Sequence, residues 1–225
     1  MTPAPVFVYG SGGHGKLVAG ALLERGERPA GFVDDDPGNA GRQVLGLPVY
    51  SREWFVDLAA RQPVAIALGV GNNWARQAIA ERSAAAGMEI VTVIHPSAIL
   101  AASATVGRGT AVLAGVVINP EARIGAGVIL NSGAVIEHDV VLGDYCHIST
   151  NVALGGAARV GTLSLVGVGA SLRPGVSVGC GSIVGVGSAV VNDIPDGVVA
   201  VGVPARVVRP HTPSAVRSHE QVVPR

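Results

Sequence analysis

The chain has 225 residues with 16 acidic and 16 basic side chains, so its formal net charge is zero. A chain without a basic excess lacks the field that recruits nucleic acid or anionic lipid. Hydrophobic residues make up 48% of the chain, aromatic residues only 4%, and there are 32 glycines. This composition disfavours a conventional core rich in aromatic rings and favours a stack of small and aliphatic side chains.

Targeting signals and disulfides are not indicated. The first residues, Met1-Thr-Pro-Ala-Pro, lack the basic start and long apolar run of a signal peptide. No stretch reaches the roughly 18 apolar residues that a membrane span needs. Cys146 and Cys180 are too few and too dispersed for a disulfide framework. We therefore expect a cytoplasmic protein without a nucleic-acid or membrane partner.

The N-terminal region, residues 1–92, predicts a Rossmann-like α/β domain. A short apolar strand at 6–9 is followed by a glycine-rich turn, a helix ending near Gly26 and a second strand at 31–33. The spacing Gly10-x-Gly12-x-x-Gly15, with Asp34 about twenty residues on, matches the dinucleotide fingerprint. Such a turn exposes backbone N–H groups at a helix N-terminus, where a phosphate can bind.

The remaining elements of this domain follow in order. The pattern predicts a hairpin or edge segment at 44–49, a helix at 54–61, a buried strand at 64–68, a helix at 74–87 and a last strand at 90–94. That strand leads into the second domain.

The second domain, residues 93–208, is defined by a period of six. Seventeen consecutive positions, called slot 1, carry branched aliphatic residues: Ile94, Leu100, Val106, Val112, Ile118, Ile124, Leu130, Ile136, Leu142, Ile148, Leu154, Val160, Val166, Leu172, Val178, Val184 and Val190. Slot 5, four residues later, is always small or medium and uncharged, and slot 2 is often glycine. A period of six fits neither an α-helix nor an uninterrupted strand.

This period predicts a parallel β-helix in which slots 1 and 5 point inward. Three hexapeptides would make one triangular turn, and glycine at slot 2 would supply the unusual dihedral angles of the corners. No insertion breaks the phase, so we expect a smooth coil. Residues 209–225 have mixed charge and no period, and predict a flexible tail.

Two histidines interrupt the otherwise nearly uncharged coil. His138 lies in Glu137-His138-Asp139, where the neighbouring carboxylate of Asp139 can raise its basicity, as suits a general base. His147 follows nine residues later, half a circuit on, so the two side chains would lie roughly 10–15 Å apart across the prism. They could share one small substrate only across a subunit boundary. Asn131, which replaces glycine at slot 2, is either a turn residue or part of the site.

The hexapeptide coil, the ending Asp193-Ile-Pro-Asp-Gly-Val-Val-Ala-Val-Gly-Val-Pro-Ala205-Arg206 and the N-terminal Gly-Gly-His14 with Asp34-Asp35 together resemble one family. It is the sialic acid O-acetyltransferase / sugar-nucleotide N-acetyltransferase family, which includes bacillosamine and perosamine N-acetyltransferases. The resemblance covers residues 6 to about 208. It implies a left-handed β-helix, a homotrimer, acetyl-CoA bound between neighbouring coils, and a role in lipopolysaccharide or O-antigen biosynthesis.

The resemblance also implies roles for single residues. His138 would take the proton from a sugar amine, supported by Asp139. The acetyl-CoA site would contain His147 on the neighbouring chain, the Gly156 amide near the developing oxyanion, and the backbones of Val168 and Val186. The nucleotide-linked amino sugar would contact Gly12, Gly13, His14, Asp34, Asp35 and Asn131. Acetyl transfer would be direct, without a covalent enzyme intermediate or a metal.

Four alternatives remain open from the sequence. A sialic acid O-acetyltransferase would use the same coil and the same histidine. The glycine fingerprint alone would also fit an NAD-dependent oxidoreductase, but a solenoid supplies no domain for that chemistry. A zinc hydratase needs three histidine ligands, whereas the coil body holds only His138 and His147. A non-catalytic scaffold would tolerate the loss of His138.

Overall fold

The computed structural model describes residues 4–212, which form an α/β domain followed by a parallel β-helix. The α/β domain contains strands β1 Val6–Tyr9, β2 Gly31–Asp34, β3 Gln43–Val44, β4 Leu47–Ser51, β5 Ala65–Leu68 and β6 Glu89–Ile90, with helices α1 Gly13–Glu24, α2 Arg52–Ala59 and α3 Asn73–Ala85 and a 3₁₀ turn at Pro37–Asn39. The sheet order is β3-β4-β2-β1-β5-β6, and every pairing except β3 with β4 is parallel. This confirms the predicted Rossmann-like domain.

The sequence prediction of one strand at 90–94 was wrong. Ile90 ends β6 and pairs with β5, whereas Val93 begins a separate strand that pairs with Ala111 of the coil. The chain therefore leaves the α/β sheet after Ile90 and joins the coil at Val93. The apolar residues of this segment belong to two different sheets. A run of apolar residues does not show where the sheet changes.

The coil consists of two-residue strands that each pair in parallel with the strand 18 residues later. Its strands are β7 Val93–Ile94, β8 Ile99–Leu100, β9 Thr105–Val106, β10 Ala111–Val112, β11 Val117–Ile118, β12 Arg123–Ile124, β13 Ile129–Leu130, β14 Val135–Ile136, β15 Val141–Leu142, β16 His147–Ile148, β17 Ala153–Leu154, β18 Arg159–Val160, β19 Leu165–Val166, β20 Ser171–Leu172, β21 Ser177–Val178, β22 Ile183–Val184 and β23 Ala189–Val190, closed by β24 Val198–Val201 and β25 Arg206–Pro210. The predicted three hexapeptides per turn are confirmed.

The strands form three flat faces of a prism. The first face contains β7, β10, β13, β16, β19, β22, β24 and β25; the second contains β8, β11, β14, β17, β20 and β23; the third contains β9, β12, β15, β18 and β21. Slot 1 and slot 5 side chains fill the interior as predicted: Ile136 and Cys146, for example, have no exposed surface. The stacked turns of this left-handed parallel β-helix bury a continuous apolar core that no single turn could bury.

The prediction that slot 2 glycines provide unusual dihedral angles was wrong. Left-handed φ values occur at slot 4 instead, for example +73° at Gly109 and +60° at Asp139. Slot 2 is glycine because the next turn of the coil leaves no room: a Cβ on Gly107 would lie 2.5 Å from the carbonyl carbon of Gly125. The sequence shows where glycine is required, but not which of the two reasons applies.

The α/β domain packs against the first face of the coil. Helix α1 and one side of its sheet share an apolar cluster with Val93, Ala111 and Leu113 of the coil. At the other end, β25 extends to Pro210, two residues into the segment for which a flexible tail was predicted. Residues 211–212 of that segment follow without regular structure, and residues 213–225 lie outside the described residues.

Candidate active site

His138 and Asp139 form a pair on the edge between the second and third faces, in the turn that follows β14. The His138 Nδ1 atom lies 2.8 Å from the Asp139 Oδ2 atom, and the two side chains are 62% and 59% exposed. A proton on Nδ1 would be donated to the carboxylate, which leaves Nε2 as the free base nitrogen of the ring. The arrangement has the geometry of an oriented general base.

Gly156 lies directly above this pair, one turn of the coil later. A Cβ on Gly156 would come within 2.5 Å of the His138 Nε2 atom, so only glycine leaves room for the ring in this position. The Gly156 N–H finds no acceptor among residues 4–212, whereas the Gly156 carbonyl accepts from the Gly175 N–H at 2.9 Å. The free Gly156 N–H and the base nitrogen therefore share one corner of the coil.

His14 and His147 form a second histidine pair, buried between the two domains. His14 lies in the first turn of α1, His147 begins β16 on the first face, and their ring centroids are 6.4 Å apart. All four ring nitrogens are buried without a hydrogen-bond partner among the described residues. The structure thus places His147 against the α/β domain of its own chain, on the face opposite the edge that carries His138.

Burial keeps both imidazoles neutral. Desolvation, followed by the nearby charges of Arg76 and His147, lowers the pKa of His14 to about 3. Desolvation and then Arg76 lower the pKa of His147 to about 4, against a smaller opposing effect of the Gly71 backbone. At neutral pH each ring therefore carries one N–H donor and one acceptor nitrogen.

The glycine turn before α1 leaves an open helix N-terminus. Gly12 is the N-cap residue and no side chain caps the helix, and a Cβ on Gly12 or Gly13 would meet nothing within 4 Å. Gly15 is different, since a Cβ there would stand 1.9 Å from the Gly10 carbonyl oxygen. The first two glycines therefore leave space for a ligand, while the last one permits close packing of the helix on the turn.

Asp34 and Asp35, at the end of β2, are held by different partners. Asp34 accepts from the Ser11 N–H at 3.0 Å and from the Ser11 hydroxyl. Burial would raise the pKa of Asp34, but hydrogen bonds from Ser11 and the Asp36 N–H outweigh it and hold the pKa below its usual value. Asp34 is thus an anion fixed beside the open helix N-terminus.

Asp35 instead accepts from the Tyr9 hydroxyl at 2.5 Å and from Arg82 at 2.8 Å. Arg82 also lies over the Tyr9 ring, 5.0 Å from its centroid. A cavity of about 270 Å³ opens beside these side chains between α2 and α3, lined also by Phe55 and Met88. Sequence reasoning missed Tyr9 and Arg82, because nothing in their spacing links them to Asp35.

Asn131, Val168 and Val186 share the edge between the first and second faces. Val168 and Val186 are 47% and 76% exposed and lie one turn of the coil apart. The Asn131 Oδ1 atom accepts from the Ser132 N–H at 2.8 Å. Within one chain this edge and the His138 edge are separate corners of the prism.

Arg76 is the largest residue of the site region that sequence reasoning missed. Its side chain is 1% exposed, and no carboxylate among residues 4–212 pairs with it. The signal was present in α3, whose buried positions Asn73, Arg76, Ile79, Ala80 and Ser83 place polar residues on the stripe that should be apolar. A charge on a buried stripe indicates a specific set of acceptors.

Two absences hold for residues 4–212. No cluster of three or more histidine, cysteine or acidic side chains in this part of the chain could hold a metal ion. No helix in the same part is long and apolar enough to cross a membrane.

Comparison with known proteins links both domains to described families. The family described as PglD N-terminal domain matches residues 5–83, and that described as Bacterial transferase hexapeptide (six repeats) matches residues 121–156. UDP-N-acetylbacillosamine N-acetyltransferase of Bacillus subtilis (strain 168) is 40% identical over 117 residues, which are 48% of this chain and 51% of that protein. The match therefore spans about half the length of this relative.

Solved structures match over nearly the whole chain. A histidine-to-asparagine mutant of perosamine N-acetyltransferase from Caulobacter crescentus, in complex with CoA and GDP-perosamine, is 40% identical with a TM-score of 0.87, covering 91% of this chain and 97% of that one. The acetyltransferase domain of PglB from Neisseria gonorrhoeae FA1090, in complex with acetyl coenzyme A, is 36% identical with a TM-score of 0.84, covering 91% and 98%. Since these likenesses extend through both domains in order, the chain belongs to the sugar-nucleotide N-acetyltransferase family of hexapeptide-repeat acyltransferases.

Proposed function

We propose that this protein transfers the acetyl group of acetyl-CoA to the amine of a nucleotide-linked amino sugar. The substrate class is a 4-amino-4,6-dideoxy sugar, such as GDP-perosamine or a UDP-linked analogue. One observation carries the proposal: the Asp139-oriented His138 ring presents its free nitrogen beside Gly156, on a fold whose relatives are solved with CoA and with GDP-perosamine.

The reaction is a direct transfer. The sugar amine attacks the thioester carbonyl carbon, and His138 Nε2 takes a proton from the nitrogen as the C–N bond forms. The C–S bond then breaks, and CoA leaves as its thiol after receiving a proton. Asp139 acts by fixing the Nδ1–H tautomer and by stabilising the imidazolium that forms. Cys146 is fully buried in the coil core, so it cannot act as a nucleophile.

The Gly156 N–H would stabilise the oxyanion of the tetrahedral intermediate. It lies at the same corner as the base and has no acceptor among the described residues. A donor that needs no rearrangement when charge develops is worth most in a site that excludes water. The backbones at Val168 and Val186 would hold the coenzyme along their exposed edge, with His147 contributing from the first face.

The α/β domain would bind the nucleotide. The open α1 N-terminus at Gly12 and Gly13 suits the diphosphate, because unpaired N–H groups and the helix dipole both favour an anion there. Asp34 and Asp35 would lie near the nucleoside, and neutral His14 near the diphosphate. Asn131 would contact the substrate from the coil.

We also propose a homotrimer with its sites between subunits. His138 lies on the edge opposite the first face, whereas the α/β domain and His147 lie on the first face itself. One chain therefore cannot bring its own base to its own nucleotide domain, and cyclic packing of three coils would do so. The cytoplasmic location and a role in lipopolysaccharide or O-antigen biosynthesis stay predictions from the sequence.

The test is CoA release from acetyl-CoA by the purified protein. The acceptors are UDP-, GDP- and dTDP-linked 4-amino-4,6-dideoxy sugars, with free sialic acid as the acceptor for O-acetylation. We expect turnover with at least one nucleotide-linked amine, a product heavier by one acetyl group, and none with sialic acid. Turnover of sialic acid alone would replace the proposal by O-acetylation, and no turnover with any acceptor would contradict it.

A further inference from the structure

Four backbone carbonyls line the edge between the third and first faces of the coil, and we call them the carbonyl row. They belong to Gly127, Tyr145, Leu163 and Gly181, which occupy slot 4 in four successive turns. All four residues have φ between +55° and +62°. The repeat therefore places one equivalent carbonyl per turn along this edge.

Each carbonyl of the row is paired with a side chain from outside the coil body. Arg76 donates to the Gly127 and Tyr145 carbonyls, both at 2.7 Å, and Asn73 donates to the Leu163 carbonyl at 2.9 Å. The His211 Nδ1 atom lies 2.7 Å from the Gly181 carbonyl, and the His211 ring packs edge-on against Trp74 at 5.5 Å. The start of α3 and the segment that follows β25 thus contact the coil turn by turn.

Arg76 connects this row to the loop that precedes α3. Its guanidinium also donates to the Val70 and Gly71 carbonyls, both at 3.1 Å, and to the Asn73 Oδ1 atom at 2.9 Å. Burying a charge is costly unless all of its donors are satisfied, and removing one partner of such a network is strongly destabilising. These bonds join the start of α3 to three successive turns of the coil, so they hold the α/β domain in this docking position.

The docking position matters for the histidine pair. Gly71 lies next to both histidines. A Cβ on Gly71 would lie 3.9 Å from the His14 Cβ, and the Gly71 backbone raises the pKa of His147 against the stronger lowering by burial. Arg76 holds the Gly71 carbonyl on one side and the coil on the other. The same guanidinium therefore holds the Gly71 loop, which lies beside His14, and the coil turn that leads into His147.

We propose that Arg76, together with Asn73, is a positioning residue that holds the α/β domain in its docking position on the coil, and thereby keeps His14 beside His147. Arg76 itself is too buried and too fully bonded to contact a substrate. The effect of Arg76 on nucleotide-sugar binding is exerted through His14 and the glycine turn of the α/β domain. The kinetic effects expected from this inference rest on the proposed acetyl transfer, whereas the docking contacts do not.

The first test reads the docking directly and does not depend on any activity. The protein has two tryptophans, Trp54 on α2 and Trp74 at the carbonyl row. In a Trp54→Phe background, Trp74 fluorescence reports the contact between α3 and the coil. We expect Arg76→Gln and Asn73→Ala to shift Trp74 emission to the red as water reaches the contact, with the matched control Arg25→Gln, an exposed arginine paired with Glu27, leaving it unchanged.

The second test measures kinetics in the same variants. Arg76→Gln should lower kcat/KM for the nucleotide sugar by about tenfold or more, mainly through KM, because small displacements of binding groups are costly. The KM for acetyl-CoA should stay within about twofold, since the coenzyme edge belongs to the coil alone. Arg76→Lys, which keeps the charge and part of the bonding, should recover part of the nucleotide-sugar affinity.

The outcomes separate the two ideas. Unchanged Trp74 emission and unchanged KM for the sugar in both Arg76→Gln and Asn73→Ala would overturn the inference, and so would an equal loss of affinity for both substrates. If Arg76→Gln does not fold, the milder Asn73→Ala decides by the same two readings. If the wild-type protein acetylates no sugar, the acetyl-transfer proposal fails while the fluorescence comparison still decides the docking.

Discussion

The Nε2 atom of His138 lies so close to Gly156 that a Cβ added at Gly156 would stand 2.5 Å from it. The base and the residue above it are 18 residues apart in sequence and one turn apart in space. Because the repeat stacks equivalent positions, the residue type at position 156 decides whether the His138 ring has enough room.

Replacing Gly156 by alanine should therefore displace the His138 ring without removing any catalytic group. We expect kcat to fall by about 10–100-fold, because a misplacement of about 1 Å at a reacting group has effects of this size. Thermal unfolding should change little, since His138 is exposed and can rotate into solvent. Steady-state kinetics with a melting curve checks this, with Gly20→Ala, which adds the same methyl group in open space on α1, as the control. Wild-type kcat in Gly156→Ala would refute the steric coupling.

The buried histidine pair should make stability depend on pH in mildly acidic solution. The folded pKa values of His14 and His147, about 3 and about 4, lie below the unfolded value of 6.5. Between the folded and unfolded pKa values the unfolded chain binds more protons, so the stabilisation is present above pH 6.5 and is lost as the pH falls, towards 4 for His147 and towards 3 for His14. From pH 7 to 5 the free energy of unfolding should fall by about 2 kcal/mol for each histidine.

Urea unfolding at pH 7 and pH 5 measures this dependence. The double variant His14→Gln/His147→Gln should lose most of it, whereas His138→Gln, at an exposed position, should behave as the wild type. Asp34, whose pKa is held below its usual value, contributes only at lower pH. A wild-type protein equally stable at both pH values would show that the pair is not buried in solution.

Much of the coil could be predicted from sequence, because a period of six carried through seventeen slot 1 positions admits one packing arrangement. Ile136 and Cys146 are inward-facing as predicted, since the phase alone decides which side of a strand a residue occupies. The phase of the hexapeptide repeat does not predict backbone dihedral angles. For this reason the role of glycine at slot 2 was predicted wrongly.

The site was less accessible to sequence reasoning. The His138–Asp139 contact could be expected because the two are neighbours in the chain. Arg76, Tyr9 and Arg82 could not, because their partners lie 26 to 73 residues away and are brought together only by the fold. The pairing of His14 with His147 likewise depends on how two domains dock, which no local pattern records.

A site between subunits predicts complementation between two inactive variants. His138→Asn removes the base from one edge, and His14→Ala alters the nucleotide domain on the opposite face. In mixed trimers formed by co-expression, sites that combine an intact base with an intact neighbouring nucleotide domain should recover about a quarter of the wild-type activity. Separately purified variants mixed without subunit exchange are the control. No recovery in the mixed trimers would show that each chain builds its site alone.

The most direct test of the central claim is the His138→Asn variant, assayed for binding and turnover together. Calorimetry should show the nucleotide-linked amino sugar and CoA bound with affinities within about threefold of the wild type. The reason is that His138 takes part in the proton transfer and does not contribute to the binding of either ligand. Acetyl transfer should fall by about 10²–10⁴-fold, the range that a general base contributes. Full turnover in this variant would contradict the assignment of His138 as the base, and with it the mechanism.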